Sequence, residues 1–209
     1  MTMRSVARRS FLTVLAAIVL GWATLGMASA EEATALVQRT TDQMLRTLEA
    51  RRAEVERDPS LIFNMVESSV APHFDFERIT QGAVGQAWRE ATPAQRRALV
   101  DAFKQVLIRT YARSLLSYAG EEIRYLPARP GRQPSTVTVS TEINAPGSAP
   151  IPVDYRMYQA ARGWQVYDVV INNASLVGNY RTSFANEVRR AGIDGLIATL
   201  NDMNARSAE

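Results

Sequence analysis

The spacing of apolar residues changes twice along the chain, and each change indicates a change of secondary structure. Up to about position 118, apolar residues recur at i, i+3 and i+4, which is typical of helices that bury one face. Apolar and polar residues then alternate, which is typical of strands. The helical spacing returns after position 171. The pattern predicts an α+β fold with a mostly helical part over 31–118, a four-stranded antiparallel meander sheet within 119–171, and two helices over 172–209.

Prolines and capping residues divide the first helical part. Residues 33–57 predict a long amphipathic helix, which Asp58-Pro59-Ser60 should end because proline cannot continue a helix. A short helix follows, and Asp75 is placed to cap the next one. The segment Thr92-Pro93-Ala94-Gln95 combines a capping box with proline at the first helical position. It predicts a helix that runs to about Tyr118.

Turn residues separate the alternating region into strands. Glycine, proline and asparagine lie between the alternating segments and predict turns there. In the C-terminal part, Gly192 is placed to end the first helix and Asp194 to cap the last one. The predicted strands cover 121–126, 135–143, 151–157 and 164–171.

The first thirty residues have the pattern of a secretory signal peptide. Three arginines precede an apolar run over 11–27, and Ala28-Ser29-Ala30 then forms a cleavage site that predicts a mature chain from Glu31. An uncleaved membrane anchor is the alternative. The segment over 8–12, RRSFL, partly matches a twin-arginine signal, so the export route stays open. Residues 31–209 are expected to form a single domain.

Removal of this segment changes the electrostatic argument. The whole chain has 24 basic and 21 acidic residues, but three of the basic ones precede Glu31, so the mature chain has 21 of each and a formal charge of zero. The chain also has no cysteine. Its composition therefore gives no support for nucleic-acid binding, and its stability must come from a core rather than from disulfides.

The usual catalytic residues are scarce. His73 is the only histidine, and with no cysteine the chain has one candidate base and no pair of zinc ligands. A packed or solvated loop histidine explains His73 more simply. Asp168 lies inside a predicted strand, where a charge must be paired or its pKa must rise. We interpret it as an anchor for the following strand-to-helix junction, with a catalytic acid as the alternative. The chain is expected to be no enzyme and to need no metal or cofactor.

The apolar stripes predict a buried face on both the helices and the sheet. A curved antiparallel sheet with helices across one face can enclose a cavity. The same stripes also fit side chains that pack directly against each other, and composition does not decide between the two.

Several segments resemble the MlaC family, the periplasmic phospholipid-binding proteins of Gram-negative bacteria. The resemblance covers nearly all of the mature chain, in the same order and at compatible spacing. It is carried by FDFERITQGAVGQAW (74–88), TPAQR (92–96), TYARSLLSY (110–118), WQVYDVVINNASLVGNYRTSF (164–184) and GIDGLIATL (192–200).

The resemblance implies a fold related to the NTF2-like cone, with a cavity for acyl chains between sheet and helices. It implies a periplasmic monomer that carries phospholipid as cargo between an inner-membrane ABC transporter with an MCE-domain component and an outer-membrane lipoprotein–porin complex. An NTF2-like enzyme, a scaffold protein and a carrier of another lipid such as a hopanoid are the alternatives. The direction in which each side chain is expected to point, together with the likeness to the family, predicts seven residues that line the cavity: Tyr111, Leu115, Val139, Tyr155, Val169, Ile171 and Leu176.

Overall fold

A computed structural model describes residues 30–117, 121–131, 133 and 135–207. The predicted signal peptide up to position 29 and the residues that join the first helical part to the sheet, 118–120, lie outside these ranges. Residues 30–50 form α1, and after a turn at Arg51 the chain continues as α2, Arg52–Arg57. The amphipathic helix predicted over 33–57 is therefore present, with one interruption near its end.

The two N-terminal helices for which capping residues were predicted begin at those residues. The side chain of Asp75 accepts a hydrogen bond from the backbone N–H of Arg78 at 2.9 Å. The capping box is reciprocal, because Thr92 Oγ1 accepts from the N–H of Gln95 at 3.2 Å and Gln95 Oε1 accepts from the N–H of Thr92 at 3.0 Å. The helices are α3 (Leu61–Ser69), α4 (Phe76–Val84) and α5 (Pro93–Ser117), with short 3₁₀ turns at Ala71–His73 and Gly85–Arg89.

The sheet contains the four predicted strands and two very short ones. All neighbouring strands are antiparallel, in the order β1-β3-β4-β5-β6, and β2 also pairs with β3. β2 and β6 have two residues each, which is too short to produce an alternating pattern in the sequence. The strands are β1 (Glu122–Tyr125), β2 (Arg129–Pro130), β3 (Thr136–Asn144), β4 (Ile151–Ala160), β5 (Gly163–Ile171) and β6 (Ala174–Ser175).

A β-bulge lies between β4 and β5. Arg156 pairs with Asp168, but the next residue, Met157, pairs with Val166, so Tyr167 is the extra residue of β5. A bulge bends its strand and increases the local twist, which curves this part of the sheet. Because of this extra residue, the side chains of β5 before and after Tyr167 do not follow one continuous alternation between the two faces of the sheet.

The chain ends in one long helical element with a break. α6 covers Leu176–Arg206, and inside it Gly192 has φ 72° and ψ −175°, which interrupts the helix. The two predicted helices are thus its two segments. Ser175 caps the first, since its Oγ accepts from the N–H of Gly178 at 3.0 Å.

Three hydrophobic clusters surround the centre of the molecule. One joins α4, α5 and α6 around the fully buried Phe103, and one joins α1, α2, α3 and α5 around Ile62. The third packs α1 against the sheet, with Val37 over Val139 and Met157. The clusters leave a space between them, bounded by buried and partly buried side chains.

Candidate ligand cavity

A cavity of about 400 Å³ lies between the sheet and the helices. β4 and β5 provide one wall, because alternate residues of a strand point to the same face, and Tyr155, Val169 and Ile171 all face the helices. α5 provides the opposite wall with Leu107, Ile108, Tyr111, Ala112, Ser114 and Leu115, while α3 and the first residue of α6 close the sides with Val66 and Leu176.

The lining of this main cavity is almost entirely apolar. Among the described residues that line it, the only polar side-chain groups are the hydroxyls of Tyr111, Ser114 and Tyr155, and none of these residues is charged. Burial raises the pKa of Tyr155 to about 12, with the nearby Tyr125 as a smaller cause, so this hydroxyl stays neutral at physiological pH. The cavity therefore suits hydrocarbon rather than a polar substrate.

A smaller cavity of about 130 Å³ adjoins the main one under α1. The two share five wall residues: Val70, Phe74, Leu115, Ile143 and Tyr155. The side cavity is less purely apolar, because His73 and three threonines also line it. Burial lowers the pKa of His73, and the charge of Arg39 lowers it further, so the neutral imidazole is favoured.

Six of the seven residues predicted as lining lie around the main cavity: Tyr111, Leu115, Tyr155, Val169, Ile171 and Leu176. Val139 does not. It is on the same face of the sheet as Tyr155, with which it pairs, but it is fully buried against Val37 of α1 and Met157. The alternation predicted its face correctly, but α1 covers that end of the sheet and makes it solid core.

The sequence prediction missed two phenylalanines that enter the cavity, one from the loop before α4 and one from the first position of α4. Phe74 and Phe76 both line it, and their rings stack with centroids 5.9 Å apart. The loop is fixed to the sheet because the N–H of Asp75 donates to the carbonyl of Val166 at 2.9 Å. The apolar residues on either side of an N-cap aspartate were the available signal.

Asp168 anchors the junction between β5 and α6, as predicted. Its Oδ2 accepts from Arg156 Nη1 at 2.9 Å and from Ser175 Oγ at 2.7 Å, and its Oδ1 accepts from the N–H of Val177 at 3.1 Å. The carboxylate is 5 % exposed and lies at the N-terminus of α6, where the helix dipole favours negative charge. This network fixes the position from which Leu176 enters the cavity.

The two residues considered for catalysis do not form one site. His73 lines the side cavity, whereas Asp168 points to the other face of the sheet, next to the cavity-facing Val169. Within the described ranges, no group of three or more histidine, cysteine, aspartate or glutamate side chains is arranged to hold a metal ion. Nor does any helix in this part of the chain have the length and hydropathy needed to cross a bilayer.

Fold and cavity define the class: an α+β protein that encloses an apolar ligand site between a curved antiparallel sheet and helices. The sequence profile of the family described as "MlaC protein" matches residues 38–202. The chain therefore belongs to the MlaC family.

Three relatives give the extent of the similarity. The chain is 27 % identical over 193 residues to toluene tolerance protein ttg2D of Pseudomonas putida, covering 92 % of this chain and 87 % of the relative. It is 20 % identical over 202 residues to the intermembrane phospholipid transport system binding protein MlaC of Haemophilus influenzae, covering 95 % and 94 %. The structure of a phospholipid-binding protein from Ralstonia solanacearum, in complex with a phospholipid, superposes with a TM-score of 0.77 at 34 % identity, covering 85 % of this chain and 99 % of the other.

Proposed function

We propose that this protein is a periplasmic phospholipid carrier and not an enzyme, and that the main cavity holds the acyl chains of its cargo. The observation that carries the proposal is the apolar cavity of about 400 Å³, within the range of about 300–1,000 Å³ typical of ligand pockets. The similarity over nearly the whole chain to a solved protein that binds a phospholipid supports the choice of ligand.

The energetics favour an apolar occupant. Without a ligand the apolar walls of the cavity contact water, which costs about 25 cal/mol per Å² of apolar surface. Acyl chains that fill the cavity offset this cost, so we expect the loaded protein to be the more stable one.

Transfer between membranes needs a matched affinity rather than a maximal one. Each buried CH₂ group contributes about 0.8 kcal/mol, so two chains of ~16 carbons gain roughly 25 kcal/mol on leaving water. A bilayer offers nearly the same gain. The carrier therefore competes with the membrane by providing an equivalent apolar environment, and the direction of transfer is set by its partners.

The cavity also indicates how the lipid is oriented. Since no charged side chain of the described residues lines the main cavity, a phosphate buried there would have no cationic partner. We infer that the acyl chains enter and the head group stays near solvent. Delivery then requires docking on membrane complexes, and the proposed partners are an inner-membrane ABC transporter with an MCE-domain component and an outer-membrane lipoprotein–porin complex.

Lipid content of the purified mature chain tests the proposal. Protein prepared without detergent is analysed by native mass spectrometry and solvent extraction, and we expect about one phospholipid per chain. Ile171→Glu places a carboxylate in the cavity and should abolish retention. Ala112→Phe adds a ring to the cavity without adding charge and should reduce it. Gln159→Glu adds the same charge at an exposed position of β4 and serves as the control.

Two results would overturn the proposal. One is a folded protein that carries no lipid and takes none up from phospholipid vesicles. The other is equal retention by Ile171→Glu and Gln159→Glu, because lipid bound elsewhere on the surface would not respond to a charge inside the cavity. Circular dichroism of each variant establishes that loss of lipid is not loss of fold.

A further inference from the structure

A polar cleft of about 390 Å³ lies on the face of the sheet opposite the main cavity. The strand pleat establishes the separation: Arg156 and Asp168 line the cleft, whereas their neighbours Tyr155 and Val169 line the cavity. α4 and the first turns of α6 form the other walls. We call this site the arginine cleft, after Arg78, Arg156 and Arg181, which project into it from three different elements.

Each guanidinium group is held by a contact that leaves other donors available. Arg156 donates one Nη1 bond to Asp168 at 2.9 Å, and its side chain is still 45 % exposed. Arg181 donates through Nε to the carbonyl of Gly82 at 3.0 Å, which leaves both its Nη groups available. The guanidinium of Arg78 lies 4.0 Å from the centroid of the Tyr158 ring. This stacking contact uses the face of the guanidinium and leaves the N–H donors at its edge available. Donors fixed in this way are well suited to bind an oxyanion.

The cleft carries an excess of positive charge. Asp168 is the only carboxylate among its described lining residues, and Arg156 already pairs with it. Neither Arg78 nor Arg181 forms a salt bridge within the ranges that the structure describes. The nearby Asp75 caps α4 and accepts a hydrogen bond from the Tyr158 hydroxyl. Since the predicted mature chain has equal numbers of acidic and basic residues, this excess is local.

We propose that the arginine cleft is a docking site for an acidic side chain of a partner protein. The arginines line a concavity, which fits a projecting Asp or Glu better than it fits the flat surface of a membrane. Tyr167 also lines it and offers apolar contact that a polypeptide uses and a free phosphate does not. Arginine and tyrosine are the residues enriched in such interfaces. The inference goes beyond lipid carriage and does not depend on it.

Arginine side-chain NMR tests the site directly. ¹⁵N-labelled protein is titrated with an acetylated, amidated octapeptide of alternating Asp and Glu, and with the matching peptide of Asn and Gln. The acidic peptide should shift the Nε–Hε signals of the three cleft arginines saturably, and the neutral peptide should not. Arg78→Ala and Arg181→Ala should each weaken binding about tenfold or more. Arg52→Ala, at an arginine of α2 that is 68 % exposed, should leave it unchanged.

Arg156 is left intact in this series, because its removal would deprive the buried Asp168 of its cationic partner. Three outcomes would overturn the proposal. Equal weakening by Arg52→Ala would indicate non-specific attraction, and saturation of the cleft by inorganic phosphate without response to the acidic peptide would indicate a small-oxyanion site. Cleft-dependent binding to phosphatidylglycerol vesicles but not to the peptide would indicate a membrane surface. Lipid content of Arg78→Ala should equal that of the unmodified protein, so failure here is distinguishable from failure of the carrier function.

Discussion

The junction between β5 and α6 provides the sharpest test of how this fold is held together. Replacing Asp168 by alanine removes the acceptor of three hydrogen bonds at once, from Arg156, Ser175 and the N–H of Val177. The carboxylate is 5 % exposed, so water does not readily replace it. We expect Asp168→Ala to be strongly destabilising although it removes no apolar packing.

The magnitude follows from the three contacts. Loss of a capping interaction at a helix N-terminus, here with Val177, costs about 1 kcal/mol. The hydrogen bond from Ser175 to a charged acceptor contributes about 1.5 kcal/mol. The ion pair with Arg156, whose side chain is 45 % exposed, is screened by solvent and contributes at most about 1 kcal/mol. The sum is about 3 kcal/mol, or about 6–12 °C in Tm for a domain of this size.

The assay is urea unfolding followed by circular dichroism, on protein freed of lipid so that ligand binding does not add to the stability. Asp168→Asn keeps the shape and one acceptor oxygen and should lose about half as much as Asp168→Ala. Asp154→Ala, at a half-buried carboxylate that pairs with the exposed Arg129, is the control and should lose at most about 1 kcal/mol. If Asp168→Ala cost no more than this control, the argument that the buried network fixes the junction would be refuted.

Three further changes test other parts of the fold. Gly192→Ala should cost about 1–3 kcal/mol in urea unfolding, because φ 72° with ψ −175° is a conformation that essentially only glycine adopts; an unchanged midpoint would mean that the two segments of α6 join differently. Thr92→Ala removes the acceptor for the N–H of Gln95 and should cost about 0.5–2 kcal/mol, and Thr92→Ser should recover most of it. Burial lowers the pKa of His73, so the unfolded state binds a proton at this histidine more readily than the folded state does. The contribution of this group to the free energy of unfolding is therefore fully present above about pH 6.5, and it is lost as the pH falls from there through the lowered pKa. His73→Gln should therefore show a smaller loss of stability than the unmodified protein between about pH 7.5 and 5, and parallel pH profiles would contradict this.

Local signals predicted the helices and strands well, because the physical causes of those elements are local. Thr92 and Gln95 satisfy each other across one helical turn, and Asp75 bonds to a backbone group three residues away. Alternation likewise assigned Tyr155 and Ile171 to the buried face. β2 and β6 were missed because two residues cannot show a period of two.

The cavity itself depends on distances that no local pattern contains. Val139 and Tyr155 are paired on the same face of the sheet, yet one is solid core and the other lines the cavity. The difference is made by α1, which is distant in sequence and covers only one end of that face. Phe74 enters the cavity because a backbone hydrogen bond ties its neighbour Asp75 to Val166, a contact between residues about ninety positions apart. Such contacts arise from tertiary packing, so the sequence could indicate an apolar face but not the space left above it.

β5 contributes residues to both proposed sites, because its alternate side chains point to opposite faces of the sheet. Val169 and Ile171 line the cavity, while Asp168, the residue before Val169, faces the arginine cleft and holds α6. Arg156 gives Asp168 one Nη1 hydrogen bond and keeps other donors for a partner, while Asp168 positions the turn of α6 that carries Leu176 into the cavity. One physical path from a docked acidic side chain to the cargo therefore runs through the Arg156–Asp168 ion pair and the first turn of α6. Lipid release from Asp168→Asn, compared with the unmodified protein in the presence of acidic peptide, would show whether that path carries any coupling.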